Sequence, residues 1–208
     1  GGLAIYGGVI CAFLAGLIYC RVKKVNMLAL FDIASLGFLI GQSIGRWGNF
    51  VNAEAHGSVT DLPWGMTING YGPYHPTFFY ECVWNLLGFA LINLLYRRKR
   101  FDGQVALMYF TWYGFGRMFI EGLRTDSLYW GTFRVSQLLA AVTCFAAAIV
   151  LAAMIFKKHD KEKLFVNIVA AREAEAAALA EAEAAEEPAE EAAEEAAEEV
   201  AEEAVEAE

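Results

Sequence analysis

Residues 41–57 run Gly41-Gln42-Ser43-Ile44-Gly45-Arg46-Trp47-Gly48-Asn49-Phe50-Val51-Asn52-Ala53-Glu54-Ala55-His56-Gly57. They begin as the end of an apolar segment and change abruptly into glycines, amides and charged residues. A charge is expensive at the depth where an apolar segment meets the membrane surface, so Arg46 needs a compensating role. The pattern predicts a membrane helix that ends here, followed by a polar, functional surface.

The composition is that of a membrane protein with an unusual tail. Hydrophobic residues make up 57% of the 208 residues, and long apolar runs recur along the chain. The formal net charge of −9 averages two unlike parts. Residues 171–208 contain 16 Glu and one Arg, a net charge of −15, which leaves +6 for residues 1–170.

Five apolar segments predict five membrane spans, at about residues 3–20, 28–45, 77–96, 103–122 and 135–156. Each approaches the ~20 residues that a helix needs to cross a bilayer. In the second segment Gly37, Gly41 and Gly45 lie four residues apart, which predicts the close approach of another helix. Asp32 lies near the start of that segment and suits the N-terminus of its helix.

Basic residues at every second segment end set the predicted orientation. They fall in residues 21–24, 97–100 and 157–163, which the positive-inside rule places in the cytoplasm. The N-terminus is then outside and the C-terminus inside. Residues 46–75 are rich in glycine, proline and aromatic residues and are predicted to form a folded exoplasmic loop.

We therefore predict an all-α, polytopic transmembrane helix bundle with two domains. Residues 1–160 form the membrane domain that carries the chemistry, and residues 161–208 form a cytoplasmic acidic tail. The tail is a low-complexity Ala/Glu array of high helix propensity, but its like charges four residues apart repel one another. It is expected to be disordered or a fraying helix; the alternative is an acidic interaction arm.

The cysteines and histidines predict no metal or cofactor. Four cysteines lie inside or at the ends of apolar segments without a CxxC pair, as small buried hydrophobes do: Cys11, Cys20, Cys82 and Cys144. The three histidines have no metal-ligand spacing. The chain starts at Gly1, and its first apolar segment lacks the flanks of a signal peptide, so we expect a chain whose beginning is missing.

A second charged group lies on the fourth segment, where Tyr113, Arg117, Glu121 and Arg124 fall on one helical stripe. One interpretation is an ion-pair ladder that pins helices together. The other, which we favour, is a site for an anion, because one Glu between two Arg leaves a positive charge over. An Arg in a spanning helix costs ~2.5–3.5 kcal/mol, and its planar fork of donors suits a phosphate.

In an outer-leaflet cavity that phosphate is expected to belong to a phospholipid headgroup. Asn49 and Asn52 are suited to hydrogen-bond its hydroxyls, while Glu54 and Glu121 are suited to orient the arginines or to take a proton. Gly57, with Gly45 and Gly48, would let the backbone approach the ligand. Residue types alone indicate a headgroup site and do not indicate a reaction.

Four motifs in chain order resemble those of the bacterial prolipoprotein diacylglyceryl transferases: Gly1-Gly2-Leu3-Ala4-Ile5-Tyr6-Gly7, Gly45-Arg46-x-Gly48-Asn49-Phe50-x-Asn52-x-Glu54-x-x-Gly57, His75-Pro76-Thr77-Phe78-Phe79-Tyr80-Glu81 and Gly116-Arg117-x-Phe119-x-Glu121-x-x-Arg124. The second motif is specific, whereas the others alone would be weak. Together they span nearly all of residues 1–156, and the tail lies outside the resemblance.

The resemblance implies a multi-pass enzyme of the bacterial cytoplasmic membrane, with its site on the outer face. It would transfer the sn-1,2-diacylglyceryl group from phosphatidylglycerol to the lipobox cysteine thiol in a prolipoprotein signal peptide. Glycerol 1-phosphate would be released, in the first step of lipoprotein maturation. The implied partners are phosphatidylglycerol, the prolipoprotein and membrane lipid, with no nucleic acid and no cofactor.

The resemblance also implies residue roles. Arg46 and Arg117 match the essential arginines, accompanied by Asn49, Glu54, Glu121 and Arg124, and Asn52 and Gly57 complete the lipid-binding set. Tyr6 stands where some members have a histidine that is a candidate base. Because tyrosine has an ordinary pKa of ~10, either Tyr6 only hydrogen-bonds the lipid or the base is Glu54 or Glu121.

His75 is the remaining histidine on the outer side. It is a candidate lipid ligand, although a plain helix-start residue before Pro76 is the favoured interpretation. We hypothesise that Arg46 and Arg117 grip the phosphate while the cysteine thiolate displaces it. The alternatives are a non-enzymatic lipid- or anion-binding or transport protein, which the lack of internal repeats disfavours, and an inactive fragment.

Overall fold

The computed structural model of the chain describes residues 5–125, 129–130 and 133–180. In the described part of residues 5–155, five long helices follow one another: α1 (Ile5–Lys23), α2 (Met27–Val51), α3 (Thr77–Tyr96), α4 (Gln104–Leu123) and α5 (Val135–Ile155). Two antiparallel two-stranded ribbons accompany them, β1 (Met66–Ile68) with β2 (Tyr71–Tyr74) and β3 (Tyr129–Trp130) with β4 (Phe133–Arg134). The chain is thus mostly helical, in line with the predicted helix bundle, and carries two short ribbons that the sequence did not predict.

Three of these helices are long and apolar enough to cross a membrane: α2, α3 and α5. The prediction of a membrane helical protein is therefore confirmed. The count of five spans stays a prediction, because α1 and α4 are not among the helices found to meet these criteria within the described residues.

Helix α2 continues past its predicted end at residue 45. The Asn26 side chain caps its start by accepting the Leu28 N–H at 2.9 Å. At its other end the Asn52 N–H reaches the Gly48 carbonyl at 2.9 Å. Glycine costs a helix only ~1 kcal/mol, and no proline interrupts this stretch. Arg46 therefore projects from a helix. The prediction of a loop that begins at residue 46 is wrong for this position.

The predicted packing of the Gly37, Gly41 and Gly45 face is wrong within the described chain. A Cβ placed on any of the three would meet nothing within 4 Å. The buried face of α2 is instead the stripe that contains Asp32, Leu39 and Ser43. The hydroxyl of Ser43 donates to the Leu39 carbonyl at 2.8 Å, which removes the cost of burying it. Helix α2 thus has two faces that could pack against other helices, and the sequence spacing does not show which of them does.

Helices α3 and α4 are joined by a reciprocal pair of tryptophans. Trp84 and Trp112 stack with ring centroids 4.3 Å apart. Each indole N–H donates to the other residue's backbone carbonyl, at 3.0 and 2.9 Å. Gly88 and Gly116 make room for the rings, since a Cβ there would lie 2.4 and 2.1 Å from indole atoms. The pair fixes how far α3 can slide along α4.

At the far ends of the helices from Arg46, Asp32 caps a helix other than its own. Its carboxylate accepts the N–H groups of Gly103 and Ala106, each at 3.0 Å, at the start of α4. Lys99 lies 3.1 Å from both Asp32 and Asp102. The prediction that Asp32 serves the N-terminus of α2 is therefore wrong; it holds α2 and α4 in register.

The chain divides into two compact units, residues 1–161 and residues 162–208. In the second, residues 165–180 are helical and their last eleven positions are exposed. The rest of the acidic tail lies outside the described residues. Three of the four cysteines are buried as expected, whereas Cys11 is exposed on α1.

Candidate functional site

A buried carboxylate on α3 joins the ends of α2 and α4. Glu81 pairs through Oε1 with Arg117 Nη1, and its Oε2 lies 2.6 Å from Arg46 Nε. The Glu81 side chain is only 4% exposed. The Arg46 N–H does not point at Oε2 closely enough to count as a hydrogen bond, so this contact is ionic. Glu81 is thus held between cations from two different helices.

The predicted stripe on α4 forms a second set of ion pairs beside the first. Arg117 Nη2 lies 2.7 Å from Glu121 Oε2, and Arg124 Nε lies 3.8 Å from the same oxygen. Arg124 also approaches Glu81, at 3.9 Å. Arg117 therefore uses different nitrogens for two carboxylates, which is the geometry that a guanidinium fork provides and a lysine does not.

Together Arg46, Glu81, Arg117, Glu121 and Arg124 form what we term the arginine–glutamate cluster. Among these described side chains, three cations face two carboxylates, so the cluster carries one net positive charge. The carboxylates are 3–4% exposed, whereas Arg46 and Arg117 retain 18% and 16%. The negative groups lie inside and the guanidinium edges reach the surface, an arrangement suited to an incoming anion.

The polar residues after Arg46 surround the end of α2. Asn49 is half-buried, and its carbonyl accepts the Glu54 N–H at 3.0 Å. Exposed Asn52 donates its amide to Glu54 Oε1 at 3.2 Å. Glu54 is itself exposed, and within the described residues no ion pair joins it to an arginine. The structure thus brings Arg46, Arg117, Glu121 and Arg124 together around Glu81, whereas Glu54 lies outside these ion pairs and is exposed.

The backbone on either side of Glu54 is left-handed. Ala53 and Ala55 have φ of 54° and 57°, a conformation that costs a residue with a side chain ~1–2 kcal/mol. Such strain persists only where surrounding structure imposes it. Thr77 contributes here, because its hydroxyl donates to the Ala55 carbonyl. The turn that presents Glu54 is therefore fixed by the start of α3.

Gly57 is a joint between chain segments. Its N–H donates to the His75 carbonyl at 2.9 Å, and it forms a β-bridge with Arg124. A Cβ there would lie 2.6 Å from His75 Cβ and 3.0 Å from the Leu123 carbonyl. At Gly45 and Gly48 a Cβ would meet nothing within 4 Å. Gly57 thus lets the loop after α2 pack against the end of α4 and the start of α3.

His75 lies two residues before the start of α3. Its backbone N–H donates to Ser58 at 3.0 Å, and its Nδ1 lies 3.3 Å from the Tyr80 hydroxyl. That hydroxyl also accepts the Trp64 indole N–H at 2.8 Å. His75 therefore belongs to a chain of polar contacts beside the cluster. Tyr6 is in α1, but its side chain lies outside the described residues.

Sequence reasoning gave no role to Glu81 or to Arg134. Glu81 is the single charged residue in residues 77–96, and an ionisable residue inside an apolar span is a functional candidate by default. The sequence alone therefore contained a signal for Glu81. Arg134 donates to the Glu121 backbone carbonyl from the start of α5. Nothing in the local spacing of the sequence indicates this contact, because it joins separate segments.

Comparison with known proteins agrees with the motifs. The sequence model of the family described as prolipoprotein diacylglyceryl transferase matches residues 1–154. Three similar proteins are each named phosphatidylglycerol–prolipoprotein diacylglyceryl transferase, from Clostridioides difficile, Finegoldia magna and Listeria welshimeri.

The first is 49% identical over 142 residues, which cover 68% of this chain and 57% of the relative. The second is 48% identical over 150 residues, covering 72% and 60%. The third is 48% identical over 152 residues, covering 67% and 54%. The chain thus matches little more than half of the length of these relatives. Because the family match runs through all the residues of the arginine–glutamate cluster, the chain belongs to the prolipoprotein diacylglyceryl transferase family.

Proposed function

We propose that this chain transfers the sn-1,2-diacylglyceryl group of phosphatidylglycerol to the lipobox cysteine of a prolipoprotein. The names of its relatives supply the donor and the acceptor. The observation that carries the proposal is the pair of arginines, Arg46 and Arg117, held on one buried carboxylate, Glu81.

The phosphate of the donor would bind the outward donors of Arg46 and Arg117. Glu81 fixes both guanidinium groups from behind, so little reorganisation is needed when charge develops on the leaving group. Glu121 holds Arg117 through a second nitrogen. Arg124, Asn49 and Asn52 would add contacts to the headgroup. Gly57 and His75 would act by fixing the loop above it.

The proposed step is a displacement at the carbon of the diacylglyceryl group that carries the phosphate. The cysteine sulfur forms a bond to this carbon as the carbon–oxygen bond breaks. The electron pair leaves with the phosphate oxygen, which gives glycerol 1-phosphate, and the thiol proton passes to a base. The cationic cluster favours the thiolate and stabilises the departing phosphate.

For the base we favour Glu54 over Glu121. Glu121 is engaged by Arg117 and Arg124, and proton uptake there would break ion pairs that hold the cluster. Glu54 is exposed and hydrogen-bonded to Asn52, so it is accessible to a substrate thiol. Tyr6 would serve as a hydrogen-bond donor to the lipid.

The proposed setting is the bacterial cytoplasmic membrane. Five spans would place the arginine–glutamate cluster at the outer face and the basic ends of α1, α3 and α5 in the cytoplasm. Residues 1–160 would form the catalytic membrane domain, and the acidic tail of residues 161–208 would be cytoplasmic.

The test is a mass-shift assay with the chain in liposomes that contain phosphatidylglycerol and a lipobox peptide. A thioether-linked diacylglyceryl group on the cysteine, with release of glycerol 1-phosphate, is the expected result. The Arg117→Ala variant should lose this transfer while keeping its helical content. Binding of lipid without transfer by the unsubstituted chain would instead favour a lipid-binding or transport protein.

A further inference from the structure

A cavity of about 570 Å³ lies at the end of the helices opposite the arginine–glutamate cluster. It lies where the segment after α5 meets the loop between α3 and α4. Its lining consists of Arg100, Ile155, Phe156, Lys157, Lys158, His159 and Lys161. The volume is within the ~300–1,000 Å³ typical of ligand sites.

Side-chain contacts hold the two walls of this cavity together. Arg100 Nη1 donates to the Ile155 carbonyl at 3.2 Å, and its backbone N–H donates to Gln104 at 2.7 Å. The His159 ring lies 4.8 Å from the ring of buried Phe101. His159 Nε2 also approaches the Met154 carbonyl at 2.6 Å. Two of these contacts, Arg100 to Ile155 and His159 to Phe101, join the α3–α4 loop to the end of α5, so the cavity is built by the fold.

The lining is strongly cationic. Arg100, Lys157, Lys158 and Lys161 contribute four positive charges, and Asp160 contributes one negative charge in the adjoining segment. The C-terminus of α5 carries a partial negative charge, but the Arg100 contact with Ile155 offsets it. The lysines at 157 and 158 are exposed. A phosphate group fits this combination of a guanidinium and several ammonium groups.

Apolar side chains beside the cations indicate a lipid as the source of that phosphate. Phe156 is 89% exposed and, with Ile155, lines the same cavity. Helix α5 is apolar enough to span a membrane and ends at Ile155. A membrane crossed by α5 would place this cavity at the headgroup level, where acyl chains can contact Phe156 and basic residues attract anionic headgroups.

We propose that this cavity is a second anionic-phospholipid site, in the leaflet opposite the one that supplies the transferase substrate. The two sites are separated by the length of α3, whose 20 residues span about 30 Å. The lipid bound here anchors the α3–α4 loop to the end of α5 and is not consumed. The proposal does not depend on the transfer reaction.

The test compares the intact chain with a Lys157→Gln/Lys158→Gln variant, which keeps Arg100 and its helix-capping contact. A matched control, Arg21→Gln/Lys23→Gln, removes two charges at the end of α1, away from the cavity lining. Each protein is placed in nanodiscs of phosphatidylcholine with or without one-fifth phosphatidylglycerol. Retained lipids are counted by native mass spectrometry after extraction into detergent.

The cavity variant should lose one retained phosphatidylglycerol and bind it at least tenfold more weakly. Each basic residue near an anionic surface strengthens binding about fivefold, and the variant lacks two. The α1 control should keep it. Equal losses in the cavity variant and the α1 control would overturn the proposal in favour of diffuse charge attraction. Full competition by soluble inorganic phosphate at equal concentration would also overturn it, by showing that the lipid is not required.

Discussion

Glu81 on α3 pairs directly with Arg117 on α4, and its second oxygen lies 2.6 Å from Arg46 on α2. Three helices therefore converge on one buried carboxylate. Glu81 is negative and the two arginines are positive, so the removal of either partner would leave an uncompensated charge in a buried site. Glu81 is thus expected to act as a positioning residue for the two arginines.

Replacing Glu81 by Gln should lower the transfer rate by about 100-fold or more. The amide keeps the size of the side chain but removes the charge that holds Arg46 and Arg117 together, so the proposed phosphate site would lose its geometry. The rate is measured as thioether formation on a lipobox peptide. Asp61→Asn is the matched control, because Asp61 is an exposed acid in the loop before β1. Equal rates for the Gln variant and the intact chain would refute the positioning role.

The Arg117→Lys variant should lose transfer about 10- to 100-fold although the charge is kept. Arg117 uses Nη1 for Glu81 and Nη2 for Glu121, and one ammonium group cannot reproduce both contacts and still bind a phosphate. Single-turnover kinetics with phosphatidylglycerol measure the effect. Arg98→Lys, an exposed position at the other end of α3, serves as the control. A lysine variant with the intact rate would show that charge alone suffices.

The two carboxylates proposed as bases should affect different steps. Glu54→Gln should slow transfer by ~10²–10⁴-fold with little effect on phosphatidylglycerol binding, because it removes the proposed base. Glu121→Gln should weaken phosphatidylglycerol binding, because it removes a partner of Arg117. The measurement is the rate of transfer at several lipid concentrations, which separates the maximal rate from lipid binding. If Glu121→Gln alone lowers the maximal rate, the base is Glu121.

Gly57→Ala should destabilise the chain by about 1–3 kcal/mol, as overpacking does in a filled site. The new methyl group would lie 2.6 Å from His75 Cβ and 3.0 Å from a carbonyl oxygen of Leu123. Gly41→Ala is the opposite case, since nothing lies within 4 Å of its Cβ and alanine favours a helix by ~1 kcal/mol. Thermal unfolding in detergent should therefore move down for the first variant and up for the second. A shift of the same sign in both would contradict the steric argument.

The sequence predicts those features that depend on neighbours along the chain. The third span was expected at residues 77–96 and α3 runs Thr77–Tyr96, because Pro76 and the basic residues after it mark both ends. The stripe on α4 follows from helical spacing alone, and Arg117 and Arg124 both contact Glu121.

Features that depend on which helix faces which could not be predicted in this way. The choice of the Leu39 and Ser43 face of α2 over its glycine face is made by packing against α3 and α4. The capping of α4 by Asp32, from a helix that begins 77 residues earlier, depends on the same packing. The place of Glu81 at the centre of the cluster became clear only once both arginines were brought to it.

Lys99 should make the stability of the chain depend on pH only in the alkaline range. Burial lowers the pKa of Lys99, but hydrogen bonds and charge attraction from Asp102 and Asp32 outweigh it, so the pKa lies above its usual value. A raised pKa means that the stabilising contribution is complete below the unfolded-state pKa of ~10.4 and is lost as pH rises through the folded-state value. Melting temperatures of the intact chain, measured from pH 7 to 11.5, should therefore fall only above about pH 10.

The Lys99→Met variant should lack this alkaline decrease and start from lower stability, because Asp32 and Asp102 lose their contact with the Lys99 ammonium group. Lys23→Gln, an exposed control at the end of α1, should keep the decrease, and its disappearance there would assign the effect to overall charge.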